Sequence, residues 1–258
     1  MIAHLAEPLD ALASIGIAAP VLGWSDVPLA ATLSAKFGVP VTVENDVRAA
    51  AWGEFRFGGH RTRSLLAVFV GTGVGSGAVL DGRLWTGGGN GAGELGHTRV
   101  VPDGLACACG GHGCLEQYAS GTGFRRRLRA TLAAGTPTAL REATGDDPDT
   151  LTADMVAAAA NSGDALARAF WSDAERYLTL AIANYVTLVN PETLILGGGV
   201  FDGVPELFDD LTGAVLAATT ILARESLRIE HARLGEWAGV LGAAALSLQP
   251  AEIGRAHV

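Results

Sequence analysis

Three cysteines and a histidine carry the most pointed chemistry in this sequence. Cys107, Cys109 and Cys114 are its only cysteines, they fall within eight residues, and His97 precedes them in the spacing H-x9-C-x-C-x4-C. Four soft nitrogen and sulfur donors, with Gly110, Gly111 and Gly113 among them, suit a closed tetrahedral zinc site, because glycines allow the tight turns that converge thiolates on one ion. A redox cluster or chance grouping is the plainer alternative. His112 is the other candidate for the fourth position. His97 is preferred because a separate segment tied to the cysteine knuckle gives the metal something to hold together. Glu94 and Glu116 flank the ligands and are too hard for zinc to need. Two carboxylates fixed beside a rigid knuckle could accept hydrogen bonds from substrate hydroxyls, whereas taken singly they read as surface acids.

Elements must position these side chains and two further groups. Residues 39–43 (VPVTV) are apolar and rich in β-branched side chains, the pattern of a central strand covered on both faces. That strand runs into Glu44-Asn45-Asp46, and residues 49–55 continue as a helix capped by Asn45 or Asp46. Polar side chains at a strand's carboxyl end and a helix N-terminus face a cleft, although Asp46 alone reads as an ordinary N-cap. Residues 65–70 (LLAVFV) form a buried strand leading into Gly71-Thr72-Gly73-Val74-Gly75-Ser76-Gly77. Such glycines let main-chain N–H groups approach a phosphate, and Thr72 adds a hydroxyl; a hairpin turn to residues 78–80 explains the same run.

Further along, residues 164–189 give the longest helix, with Leu166, Phe170, Ala174, Leu178, Ala181, Tyr185 and Leu188 as a core-facing stripe. Residues 193–196 form a strand with Gly197-Gly198-Gly199 at its carboxyl end, and residues 235–248 an alanine-rich helix. Helices are also expected over 5–13, 27–37 and 121–134, a short strand over 14–18, a connection over 20–28, and a polar loop over 135–150. Arg125-Arg126-Arg127 with Arg129 reads as a solvated helix face.

GELGH followed by CACGGHGCLE resembles the signature of the ROK family, the repressors, open reading frames and kinases of sugars. ENDVRAAAWGE, GTGVGSG and NPETLILGGG resemble three more of its segments, so the likeness spans about Ser14 to Leu248. The resemblance implies that His97, Cys107, Cys109 and Cys114 bind structural zinc. It also implies that Asn45, Asp46, Glu94, His97 and Glu116 hold a hexose, with Asp46 as catalytic base. Gly71, Thr72 and Gly73 would contact the phosphates of ATP with Mg²⁺, and Gly197, Gly198 and Gly199 its adenosine. A homodimer is implied as well.

The family's kinases open with a D-x-G-G-T hairpin that holds ATP phosphates and metal, and no such motif occurs here. The sequence is therefore expected to begin inside the N-terminal domain, and a loop bordering the sugar pocket is shortened around Val21. The expected fold is α/β, ribonuclease-H-like and of the two-lobed actin and hexokinase type with an incomplete first lobe. That lobe takes residues 1–64 plus a returning helix at 243–258; the C-terminal lobe takes 65–242 with the zinc knuckle. ATP-dependent phosphorylation of a hexose, impaired by the missing hairpin, is the expected function. A non-catalytic sugar-sensing domain of a repressor is the alternative.

With 258 residues and 49% hydrophobic content the chain can bury a substantial core. A net charge of −9 and the shortness of the one basic run argue against nucleic-acid binding. No apolar run has membrane-spanning length, no signal segment is present, and clustered cysteines fit a reducing compartment, so a cytoplasmic location is expected.

Overall fold

In the computed structural model, which describes the backbone of residues 15–19 and all of residues 27–247, the chain alternates strands and helices. β1 (Ile15–Ala19), α1 (Leu29–Phe37), β2 (Val41–Asn45) and α2 (Asp46–Phe57) come first, followed by β3 (Leu65–Val70), β4 (Val74–Leu80) and β5 (Arg83–Trp85). After the cysteine knuckle come α3 (Glu116–Ala119), α4 (Gly121–Ala133), α5 (Leu140–Ala143), α6 (Ala153–Asn161) and α7 (Ala165–Val189). β6 (Thr193–Gly197), α8 (Gly199–Gly203), α9 (Glu206–Ala218), α10 (Ile221–Ser226), β7 (Arg228–His231) and α11 (Ala238–Ser247) complete the order.

The larger sheet has the order β5-β4-β3-β6-β7, with β3, β6 and β7 parallel and β4 and β5 antiparallel. Alternation explains why β3 is apolar at every position: Leu66, Val68 and Val70 enter the core that includes α7, whereas Leu65 and Ala67 enter the one that includes α2 and α11. β6 behaves alike, with Leu194 and Leu196 on the first side and Ile195 on the second. On the second side α11 lies against α2 at backbone distance. A Cβ at Gly242 would stand 1.7 Å from the Ala49 carbonyl oxygen, and one at Gly53 would stand 2.3 Å from that of Ala238. Only glycine fits both crossings.

Several expectations shift. β2 pairs in parallel with β1, and Glu44 is its one buried residue, so this strand is not the doubly covered one that its apolar residues suggested. β2 also carries the polar Glu44 and Asn45 inside the strand, which moves it two residues along. In α7 the stripe is buried at Phe170, Ala174, Leu178 and Ala181, but Leu188 is 85% exposed and Val186 is buried instead. Leu188 lies ten residues beyond Leu178, where a helix has rotated about 80° off that line. The expected loop over 135–150 contains α5, whose Leu140 is fully buried. Residues 5–13, 20–26 and 248–258, including most of the predicted returning helix, lie outside the described residues.

Candidate functional site

At the end of β2 the backbone of Asn45 stays extended, which frees its side chain to cap α2. Asn45 Oδ1 accepts from the N–H groups of Val47 (2.9 Å) and Arg48 (3.0 Å). Asp46 is the first helical residue and is half-buried, with Oδ1 accepting from the Val47 N–H at 2.9 Å. Its carboxylate therefore sits at the positive end of the helix. Sequence reasoning missed Arg48. Its guanidinium is 3% exposed, pairs with the buried Glu44 carboxylate through Nε (2.7 Å) and Nη2, and donates from Nη1 to the Ala92 carbonyl at 3.1 Å. That bond joins α2 to the segment carrying Glu94.

The glycine-rich run divides into two functions. Gly71-Thr72-Gly73 is the turn of the β3–β4 hairpin, closed by the Gly71 N–H donating to the Gly73 carbonyl at 2.9 Å. Gly75 and Gly77 belong to β4 and admit α2: a Cβ at either would meet Val47 or Ala51 at 2.6 Å. The hairpin that the sequence reading offered for this run is present, and its turn is confined to three residues. Carbonyls of Gly71 and Thr72 accept from the N–H groups of Gly121 (2.9 Å) and Thr122 (3.0 Å), fixing the turn on the start of α4. Glu116 Oε2 accepts from the Val74 N–H at 3.2 Å.

Because β3 and β6 are parallel neighbours, their carboxyl ends bring the two glycine segments together. A Cβ at Gly71 would stand 3.9 Å from the Gly199 nitrogen, and Gly198 takes a φ of +98° between β6 and α8. The crevice beyond the carboxyl ends of parallel strands is where open α/β sheets bind ligands.

His97, Cys107, Cys109 and Cys114 converge, with donor atoms all within 4.8 Å of one another. His97 Nδ1 lies 3.6 Å from Cys107 Sγ, and Cys109 Sγ lies 3.6 Å from Cys114 Sγ. A tetrahedron with metal–sulfur bonds of about 2.3 Å and metal–nitrogen bonds of about 2.0 Å has edges of about 3.5–3.8 Å. His112 is not in this group; its backbone bridges to Ala106. Burial pushes the Cys114 thiol up to about 12, while the Gly111 N–H and the neighbouring thiols lower that of Cys109. A buried thiolate at Cys114 needs a cation beside it.

Around this cluster, Gln117 donates from Nε2 to Cys107 Sγ at 3.5 Å, and Arg126 Nη1 donates to Gln117 Oε1 (3.0 Å) and to the Ala106 carbonyl (2.6 Å). The arginine run is therefore not simply solvated. Arg125 donates to the Leu151 carbonyl, Arg127 lies over the Phe170 ring and pairs with Asp173, and Arg129 pairs with Asp149. Glu94 is exposed, and its Oε2 lies 3.9 Å from His97 Nε2, the ring nitrogen turned away from the cysteines.

The model of the ROK family matches residues 12–250. The glucokinase of Streptomyces coelicolor is 35% identical over 238 residues, covering 90% of this chain and 74% of that protein. The xylose repressor of Caldicellulosiruptor bescii is 32% identical over 231 residues, covering 88% of this chain and 57% of that protein. The crystal structure of a ROK family glucokinase from Streptomyces griseus in complex with glucose and AMPPNP superposes with a TM-score of 0.71 at 35% identity, over 88% of this chain and 74% of that one.

Proposed function

Because the chain belongs to the ROK family, we propose that it is a glucokinase-like phosphotransferase acting on ATP and a hexose. It has the α/β fold of ROK glucokinases and hexokinases, the expected ribonuclease-H-like, actin-type class. One observation carries the proposal: the Gly71–Gly73 turn and Gly197–Gly199 meet at the carboxyl edge of β3 and β6, where a bound nucleotide would span both.

In this reading Asp46 takes the proton of the attacking hydroxyl, and the Gly71–Gly73 turn offers N–H and Thr72 hydroxyl donors to phosphate oxygens. Mg²⁺, bound with ATP, supplies neutralisation of phosphate charge. Asn45, Glu94, Glu116 and His97 Nε2 bind ring hydroxyls. The role for Glu116 is consistent with its place beside the turn, where it already accepts from Val74.

His97 Nδ1, Cys107, Cys109 and Cys114 fit zinc by donor type and spacing. Four protein ligands close the coordination shell, so zinc supplies rigidity rather than an activated water. That rigidity passes to Glu94 through His97 and to Glu116, which begins α3 two residues beyond Cys114. We assign residues 1–64 with the returning helix to one lobe and 65–242 to the other; the close α2–α11 crossing supports this grouping. A homodimer in the cytoplasm completes the proposal, and no described helix is long and apolar enough to cross a membrane.

A sugar-sensing domain is the second reading, favoured by the similarity to a xylose repressor. Calorimetry with glucose and a coupled ADP-release assay on one preparation test both. Saturable binding with turnover supports the kinase. Binding without turnover fits the sensor and equally a kinase impaired by the missing hairpin, which calorimetry with AMPPNP then separates, since only the kinase reading requires nucleotide binding. No glucose binding would remove the hexose from the account.

A further inference from the structure

The β7 edge carries a second cluster of donors that no part of the proposed reaction uses. A pocket of 430 Å³ is lined by Gly59, Arg61, Arg228, Glu230 and Arg233, three positive charges against one negative in a chain of net charge −9. Two of its guanidinium groups, those of Arg228 and Arg233, are held in place from behind. Arg228 Nη2 donates to the Arg61 carbonyl (2.8 Å) and to Thr193 Oγ1 (3.0 Å). Arg233 donates from Nη1 to the Gly58 carbonyl (3.0 Å) and from Nη2 to Glu230 Oε2 (2.7 Å).

The nearby carboxylates are already engaged. Glu230 Oε2 also faces buried His60 at 2.8 Å, and Glu54 faces the other ring nitrogen of His60 while accepting from the N–H groups of Arg233 and Leu234. Glu192 accepts from Thr62 and from the Arg63 N–H. Each guanidinium has five N–H donors, so Arg61, Arg228 and Arg233, all exposed, retain more donors than these acceptors and the Glu230 Oε1 that faces Arg228 Nε at 3.7 Å consume. Fixed, forked cations with surplus donors match the oxygens of phosphate better than they match a carboxylate already shared.

We propose that this pocket binds a phosphate dianion, either free or as the phosphate of a small monoester. The site is separate from the glycine turn. Arg228 is in register with Thr193 and Leu65, at the start of the parallel strands, and Gly71 lies six residues further along β3. At about 3.3 Å per residue this places Arg228 about 20 Å from the level of Gly71, and Glu230, in register with Ile195 and Ala67, about 13 Å from it. The inference therefore does not depend on the kinase reading.

Titration calorimetry of the full chain with inorganic phosphate, at ionic strength held constant with chloride, tests it. We expect about one phosphate per chain, with affinity lowered about tenfold or more by Arg61→Ala and by Arg228→Gln, since a hydrogen bond to a charged group is worth at least that factor. Thr72→Val should leave this affinity unchanged. Arg61 is exposed, so Arg61→Ala is the variant that keeps the fold, and melting curves check Arg228→Gln. Glycerol phosphate as a second probe separates the sources: tighter binding than inorganic phosphate assigns a monoester, equal binding assigns phosphate alone. No saturable binding by the wild type, or binding weakened by Thr72→Val and not by Arg61→Ala, would overturn the proposal.

Discussion

Gln117 presents its amide nitrogen to Cys107 Sγ because Arg126 holds the amide oxygen, which fixes the orientation of the donor (3.5 and 3.0 Å). Groups that hydrogen-bond metal ligands orient them and tune their affinity for the metal. Gln117→Leu and Arg126→Met should each weaken zinc binding about 10- to 100-fold without removing a ligand, measured by competition with a chromophoric chelator. Cys109→Ser should leave purified protein with less than about half an equivalent of zinc, because a three-donor site is open to exchange; metal analysis of protein prepared without added zinc decides. At the other wall, Asp46→Asn keeps a hydrogen-bonding shape but removes the base. It should abolish any measured turnover while hexose affinity stays within about an order of magnitude, and a variant with unchanged kcat would end the assignment. The convergence of His97 with the three cysteines was legible because it is carried by type and spacing over a few residues, whereas Asp46 by itself read as an N-cap and takes its proposed role from the family's motif. Gln117 and Arg126 were not legible, since their role exists only once α4 folds back on the knuckle.

At the scale of elements, α2 is the piece on which the site's geometry rests. Its first turn carries Asp46, its glycine Gly53 receives α11, and Arg48 ties it to Ala92 across 44 residues of sequence. Arg48→Met would leave the Glu44 carboxylate, 8% exposed, without its partner. Breaking a buried pair from one side costs about 3–5 kcal/mol, far more than an exposed ion pair contributes. We expect a loss of that order in urea unfolding, with much of it recovered in the Glu44→Gln, Arg48→Met double variant; additive losses would show that the two residues act separately. The strands and long helix were legible from periodicity, yet the glycine-rich run was only half so. Gly71 and Gly73 shape a turn while Gly75 and Gly77 make room for α2, and sequence alone gives both pairs the same appearance. β2 misled for a related reason: apolar, β-branched residues describe what a strand can pack against, and the layers above and below it decide how much is covered.

For the molecule as a whole, the decisive question is how much of a two-sided phosphate clasp these 258 residues supply. The family match, the sheet order and the meeting of two glycine segments support one side of the proposed nucleotide cleft. The opposite side, carried in family kinases by D-x-G-G-T, has no counterpart motif in this sequence, and the chain spans 74% of the length of the related glucokinase. In-line phosphoryl transfer depends on positioning and charge stabilisation around the γ-phosphate, and removing a single oxyanion-type donor costs about 10²–10³ in kcat. A hairpin that contributes several donors and metal anchorage should cost more than one such factor. The proposed hexose contacts are differently placed: Glu94, His97 and Glu116 gather around the knuckle, and Asn45 and Asp46 are fixed by the cap of α2. This 258-residue chain should therefore bind glucose saturably while its ADP release stays near background. Turnover near the ordinary enzyme median of about 10 s⁻¹ would show that the second phosphate-holding turn is dispensable or replaced. Failure to bind glucose, with zinc retained, would remove the hexose from the account and leave the knuckle as a structural feature alone.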